Sequence, residues 1–184
     1  MPLLKPVRIQ DSSHRHLAAL GQLYLTSFPA QERRPINQFL QLLPAPDMYV
    51  HALVLDDQVA GLSIHWPFDN FHFLEHLAIA PALRGKQLGR QAVQWLLAQA
   101  KGPLVLEVEH PTDEASCRRI TFYERLGLVL HARFPYQQPP YQKACSPLPM
   151  HLMTSDILIT CSDLHNIATI IREQVYERFY VSSC

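Results

Sequence analysis

The chain carries no excess charge of either sign: 16 Lys and Arg stand against 16 Asp and Glu in 184 residues. A general nucleic-acid binder or a binder of anionic membranes relies on surplus positive charge. The balance argues against both and leaves room only for a local basic patch. No apolar run approaches the ~18–20 residues that a membrane span needs. Met1-Pro-Leu-Leu-Lys-Pro6 lacks the apolar core of a signal peptide. Cysteine is sparse and scattered: Cys117, Cys145, Cys161 and Cys184 form no C-x-x-C pair. The sequence therefore predicts reduced thiols in a cytoplasmic protein, not a disulfide frame or a zinc knuckle. Cys184 is expected to be exposed and prone to oxidation, without a function. Internal repeats and low-complexity tracts are also missing.

What is there is the balance of a globular protein, 48% apolar and 17% charged. The length suits about one domain at ~100–200 residues each, and such a chain buries roughly 70% of its unfolded surface without a metal or disulfide. The ten histidines make it cationic below about pH 6.5.

Periodicity predicts a strand over 7–10 and a helix over 17–28 that Ser12 or Ser13 can cap. A Pro-bracketed loop, 29–35, leads to a short helix with Phe39, Leu42 and Leu43 on its apolar face. Strands follow at 48–55, 59–66 and 71–80. A helix spans 88–101, stopped by Gly102 and Pro103. Then come a strand at 104–109, a helix at 114–126, strands at 128–134 and 149–154, and a last helix over about 163–180. Ser162 or Asp163 caps that helix, and its stripe is Leu164, Ile167, Ile171, Val175 and Phe179. Prolines in Phe134-Pro-Tyr-Gln-Gln-Pro-Pro-Tyr141 predict an extended loop there. Three consecutive strands followed by alternating strands and helices imply an α/β fold, a mixed sheet with helices on both faces.

The most informative segment is Leu77-Ala-Ile-Ala-Pro-Ala-Leu-Arg-Gly-Lys-Gln-Leu-Gly-Arg90. A strand, a basic loop containing Gly85, and a helix start stand in a row. A helix N-terminus presents unpaired N–H groups and partial positive charge, so it holds a phosphate well, and Arg84, Lys86 and Arg90 add to that. The loop is neither a Walker A nor a G-x-G-x-x-G motif. An ordinary solvated turn is the bland alternative.

This loop, together with Leu104-Val-Leu-Glu-Val-Glu109 and Ile120-Thr-Phe-Tyr-Glu-Arg-Leu-Gly-Leu128, resembles the GCN5-related N-acetyltransferase (GNAT) superfamily. The close match covers about 72–131, and the element order extends it to about 3–155. The helix over 163–180 is an addition to that core. Two positions depart from the pattern: Gln87 stands where the signature has its middle Gly, and Ser116 where an Asn often opens the later helix.

The resemblance implies a single GNAT-like domain with a mostly antiparallel sheet of about seven strands. It implies acetyl-CoA as co-substrate and an amine acceptor, small or peptidic, with no nucleic acid and no membrane involved. The pantetheine arm is expected along Leu77, Ala78 and Ile79, with a backbone N–H near Leu77 meeting the thioester oxygen. The pyrophosphate is expected over Arg84, Gly85, Lys86, Gln87, Leu88, Gly89 and Arg90, with Ser116 nearby. Tyr123 stands where the family often keeps its general acid, although on an amphipathic helix it also reads as a core aromatic.

For the base, Glu75 is the first choice. By alternation it shares a face with Phe71, Phe73, Leu77 and Ile79, and apolar neighbours suit a base. Glu107, Glu109 and His110 are the next candidates; a solvated strand face is the bland reading of both glutamates. Arg33 and Arg34 border the acceptor site in the family and could hold a substrate carboxylate, or could be exposed charges. Tyr136 and Tyr141 resemble the site's other wall. A homodimer through the last helix is plausible.

Two other readings stay open. One is a non-catalytic relative that binds CoA or a protein partner. The other is a zinc peptidase, since His72-Phe-Leu-Glu75-His76 spells H-x-x-E-H. On a strand, however, those histidines stand about 13 Å apart, too far to share an ion.

Overall fold

A computed structural model describes residues 3–180; Cys184 lies outside the described residues. The fold is mixed α/β. In chain order it runs β1 (Lys5–Ile9), α1 (Leu17–Ser27), α2 (Ile36–Leu42), β2 (Tyr49–Leu55), β3 (Gln58–Pro67), β4 (His72–Ile79), α3 (Leu88–Gln99), β5 (Leu104–Glu109), α4 (Glu114–Glu124), β6 (Val129–Leu130), β7 (Tyr136–Gln138), β8 (Leu148–Thr154) and α5 (Cys161–Ile170). Two compact units divide the chain. The first joins residues up to Phe68 with Leu74–Ala100; the second joins Asp69–Phe73 with the residues from Lys101 onward.

In the first unit the strand order is β1-β2-β3-β4. β2 pairs antiparallel with both β1 and β3, and Ala52 faces Val7 on one side and Leu62 on the other. The turn joining β2 to β3 holds Asp56 and Asp57 at φ 47° and 62°. Positive φ at both central residues suits the twist of a two-residue hairpin, and Asp tolerates it. β2 and β3 are buried along most of their length, which is why the sequence there is almost continuously apolar. On one face Leu53 and Ala60 pack with Leu88 and Ala92 of α3, and Leu77 and Ile79 of β4 join them. Elsewhere in the unit Tyr24 of α1 stacks on Phe39 of α2 at 4.8 Å and meets the ring of His76 edge-on at 5.3 Å.

In the second unit β8 is the centre. It pairs antiparallel with β5 (Glu107 opposite Leu152), with β6, and with β7 (Tyr136 opposite Met150). α4 and α5 each begin with a reciprocal capping box, Asp113 with Ser116 and Thr160 with Asp163.

Several sequence expectations are corrected. Ser12 and Ser13 do not cap α1; Ser13 bonds to Asp11 instead, and the helix starts at Leu17 behind His16. The strand expected over 128–134 shortens to Val129–Leu130. The expected loop over 134–141 contains β7, because Pro135 and Pro139 fall just outside a three-residue ladder and remove none of its bonds. With β7 the strands among the described residues number eight, in line with the mostly antiparallel sheet of about seven that was expected. The last helix is not uniform: α5, capped by Thr160, continues as a π-helical stretch, Ile171–Tyr176, and then a 3₁₀ turn, Glu177–Phe179.

Gly61 marks a close approach of β3 to β4. A Cβ there would lie 2.6 Å from the Ala78 carbonyl oxygen and 2.8 Å from Ile79 Cδ1. Overpacking of this kind costs roughly 1–3 kcal/mol. Gly61→Ala should therefore lower the urea midpoint with an unchanged m-value; an unaltered midpoint would show that the strands have room to spare.

Candidate active site

The basic loop leaves β4 through a 3₁₀ turn at Pro81–Leu83. Arg84 Nε donates to the Ile79 carbonyl at 3.2 Å and pins the loop to the strand end. Gly85 then adopts φ +77° with open space around it, so conformation and not crowding selects glycine. Gln87 is also left-handed, at φ 60° and ψ 13°, and is the N-cap of α3 without a side-chain hydrogen bond. That backbone explains why a glycine suits position 87, and a glutamine carries strain there. Leu88 is buried and anchors the helix, whereas residues 84–87 and Arg90 are exposed. No acidic residue stands in the first turn. The result is an exposed helix start, uncapped by any side chain and flanked by Arg84, Lys86 and Arg90.

Glu75 corrects the expectation drawn from alternation. Leu77 and Ile79 pack toward α3, but Glu75 does not join them. Its Oε1 lies 3.2 Å from Arg34 Nη2, and its Oε2 accepts the Trp66 indole N–H at 2.7 Å. The next residue, His76, reaches the same group: its Nε2 is 3.9 Å from Glu75 Oε1, and its ring lies 4.3 Å from that of Phe28. Two consecutive side chains on one side of a strand break the alternation, as a bulge does.

The Glu75 side chain is 1% exposed although the residue as a whole is not buried, so its accessible part is main chain. Arg34, at 2% side-chain exposure, is not a surface charge either. Its N–H donates to the Tyr24 hydroxyl at 2.8 Å. Burial, and then the Glu75 charge, push the Tyr24 pKa up, and burial holds His76 near about 4. Arg33 is partly buried and donates from Nε to the Phe28 carbonyl at 3.1 Å.

In the second unit Glu107 is not on a solvated face. The Tyr136 hydroxyl donates to one of its oxygens, and the Tyr176 hydroxyl to the other at 2.7 Å. Tyr136 has its pKa raised by burial first and by the Glu107 charge second. Glu109 pairs with Arg119. His110 is exposed and stacks on His151 at 4.0 Å. Tyr123 is buried on α4, and burial pushes its pKa to about 12, so the phenol keeps its proton at neutral pH. The Ser116 hydroxyl is engaged in the cap of α4, donating to Asp113 and accepting from the Asp113 N–H at 3.2 Å. Tyr141 is buried with its ring 4.9 Å from that of Tyr176. Among the described residues no group of three or more His, Cys, Asp or Glu gathers to hold a metal ion. Sequence reasoning missed Trp66 and Tyr176 as partners of these carboxylates, and Tyr24 as the partner of the Arg34 main chain. A carboxylate in a largely apolar strand is the signal that partners must exist.

A strand leading through a left-handed turn to a basic helix start without a side-chain cap, set in a mixed and mostly antiparallel α/β fold, suits a phosphate-bearing ligand. The sequence model described as the acetyltransferase (GNAT) family matches residues 17–128. A protein of Bacteroides thetaiotaomicron assigned to the GNAT family of acetyltransferases is 32% identical, with a TM-score of 0.84, over 94% of this chain and 97% of that one. The chain belongs to the GNAT acetyltransferase family. Two more distant structures share the fold. A Bacillus subtilis acetyltransferase in complex with CoA is 16% identical (TM-score 0.57, covering 84% of this chain and 99% of that one). Arabidopsis thaliana Naa50 with the bisubstrate analogue CoA-Ac-MVNAL is 14% identical (TM-score 0.58, with the same coverage). A search of curated proteins finds no match.

Removing one partner of a buried ion pair strands the other charge, at about 3–5 kcal/mol, whereas replacing both by apolar groups is far milder. Arg34→Met should therefore destabilise strongly, and Arg34→Met with Glu75→Met should recover most of the loss. Equal losses in the single and the double variant would contradict the pairing.

Proposed function

We propose that the protein is an N-acyltransferase that moves the acetyl group of acetyl-CoA to an amine, by direct attack within a ternary complex. The observation that carries this reading is the exposed helix start behind Gly85 and Gln87, with its uncapped N–H groups, three flanking cations and no acid in the first turn. Such a cradle suits a diphosphate, because the N–H groups and the helix dipole act on it together. Gln87 still offers its N–H there. Bound acetyl-CoA supplies an activated thioester. The main chain of Leu77, Ala78 and Ile79 borders its arm in this reading, and an N–H near Leu77 meets the thioester oxygen.

Tyr123 serves the departing sulfur. A phenol with a pKa near about 12 stays protonated throughout the working range. Complete transfer of its proton to a thiolate of pKa ~8.5 is uphill, so its contribution is a hydrogen bond that strengthens as charge develops on sulfur. Glu75 is a positioning residue in this reading, because an amine cannot reach a side chain that is 1% exposed. His110, exposed at the end of β5, takes the proton of the amine directly or through one water. Among the described residues no helix is long and apolar enough to cross a membrane.

Release of free CoA thiol from acetyl-CoA, followed across a panel of amines, tests this reading. An amine that raises the rate well above hydrolysis supports it; hydrolysis alone with every amine favours a non-catalytic CoA-binding relative. With such an amine in hand, Tyr123→Phe should keep its melting temperature and lose about 10²-fold in kcat, the usual cost of one donor to developing charge. If that variant loses stability and keeps its rate, Tyr123 is a core aromatic only.

A further inference from the structure

The second unit contains a pocket of about 790 Å³, within the ~300–1,000 Å³ range of small-molecule sites. Arg133, Arg172, His110, His151, His165 and Tyr136 supply its polar wall, and among the described residues no carboxylate lines it. Glu107 lies behind Tyr136, with both of its oxygens taken by phenols. Phe134, edge-on to His165 at 4.9 Å, belongs to the apolar part of the lining.

Two features mark this as a built site. His151 is 8% exposed and stacked on His110 at an interplanar angle of 14°, yet its Nδ1 meets no hydrogen-bonding partner among the described residues. A buried polar atom without a partner is costly unless a ligand or water satisfies it. Arg172 comes from the π-helical stretch Ile171–Tyr176. Such stretches are rare and gather at functional sites. The same stretch buries the consecutive residues Val175 and Tyr176.

We propose that this pocket binds a small organic anion, a carboxylate or a phosphate monoester on an apolar body, with Arg133 and Arg172 as its charge partners and the stacked histidines as one wall. Guanidinium groups match either anion by paired N–H bonds. If the acyl-transfer reading holds, on which this sentence alone rests, the anion is the far end of the acceptor amine.

The test needs neither acetyl-CoA nor turnover. Three probes are titrated into the full chain while the histidine ring resonances are followed by NMR: L-phenylalanine, phenyl phosphate and phenethylamine. The first two carry an anion on an aromatic body, and they separate the carboxylate source from the phosphate source. The third keeps the ring and the amine but has no anion. At least one anionic probe should give saturable shifts at His110, His151 and His165 at millimolar concentration or below, and phenethylamine should not. Arg172→Gln should weaken that probe roughly tenfold or more, the loss of one charge-assisted contact. Arg133 and Arg172 are both exposed, so neither substitution should unfold the chain, and Arg133→Gln, outside the π-helical stretch, is expected to give the same weakening. Equal binding of phenethylamine, unchanged affinity in the arginine variants, or no saturable shift with either anion would overturn the proposal.

Discussion

The first unit turns on one buried ion pair. Arg34 lies in the loop between α1 and α2, and Glu75 sits in β4; they meet at 3.2 Å with almost no solvent contact. Two charges out of water hold only when the remaining lone pairs and protons also find partners. The Trp66 indole N–H meets the second oxygen of Glu75 while its ring lies 5.6 Å from the Arg34 guanidinium, and the Tyr24 hydroxyl fixes the Arg34 main chain by accepting its N–H. These bonds tie α1, the loop before α2, β3 and β4 into one arrangement. They also dictate the local course of β4: Glu75 and His76 turn to the same side, and the main chain at Glu75 stays accessible. A strand that exposes main chain in its middle, and runs into a loop with an uncapped helix start, is the geometry on which the proposed acyl-CoA site rests.

The second unit brings two phenols to its buried carboxylate. Each oxygen of Glu107 accepts a phenol hydroxyl, one from Tyr136 and one from Tyr176. One of these phenols, Tyr176, reaches it from the π-helical stretch. The charge of Glu107 is thereby kept behind Tyr136, and among the described residues the ionisable lining of the adjoining pocket is arginine and histidine besides that phenol.

The sequence made the elements and the basic loop before α3 legible, because both are written in local signals. Helical periodicity ending at Gly102 and Pro103, and a basic loop with Gly85 before Leu88, need no long-range information. Loop conformation was less visible: Gln87 is left-handed because the turn requires it, against its own preference. The partners of Glu75 were not legible, since Arg34 and Trp66 lie far from it in the chain and strict alternation pointed the carboxylate the other way. Tyr176 was hidden for a related reason. A stripe counted at 3.6 residues per turn selects Ile171, Val175 and Phe179, whereas the π-helical turns bring Tyr176 inward. Prolines concealed β7, because the rule that excludes them from ladders does not cover residues just beyond a short strand.

The central claim is that residues 84–90 hold the diphosphate of CoA, and thermal unfolding with and without CoA tests it most directly. At ~100 times its Kd, CoA should stabilise the fold by about 2.7 kcal/mol, roughly 5–10 °C in Tm for a chain of this size. Pantetheine, which lacks the phosphates, should give much less, and Gly89→Asp, which sets a carboxylate against the helix start, should abolish the shift. An unchanged Tm in millimolar CoA, or a full shift retained in Gly89→Asp, would contradict the account.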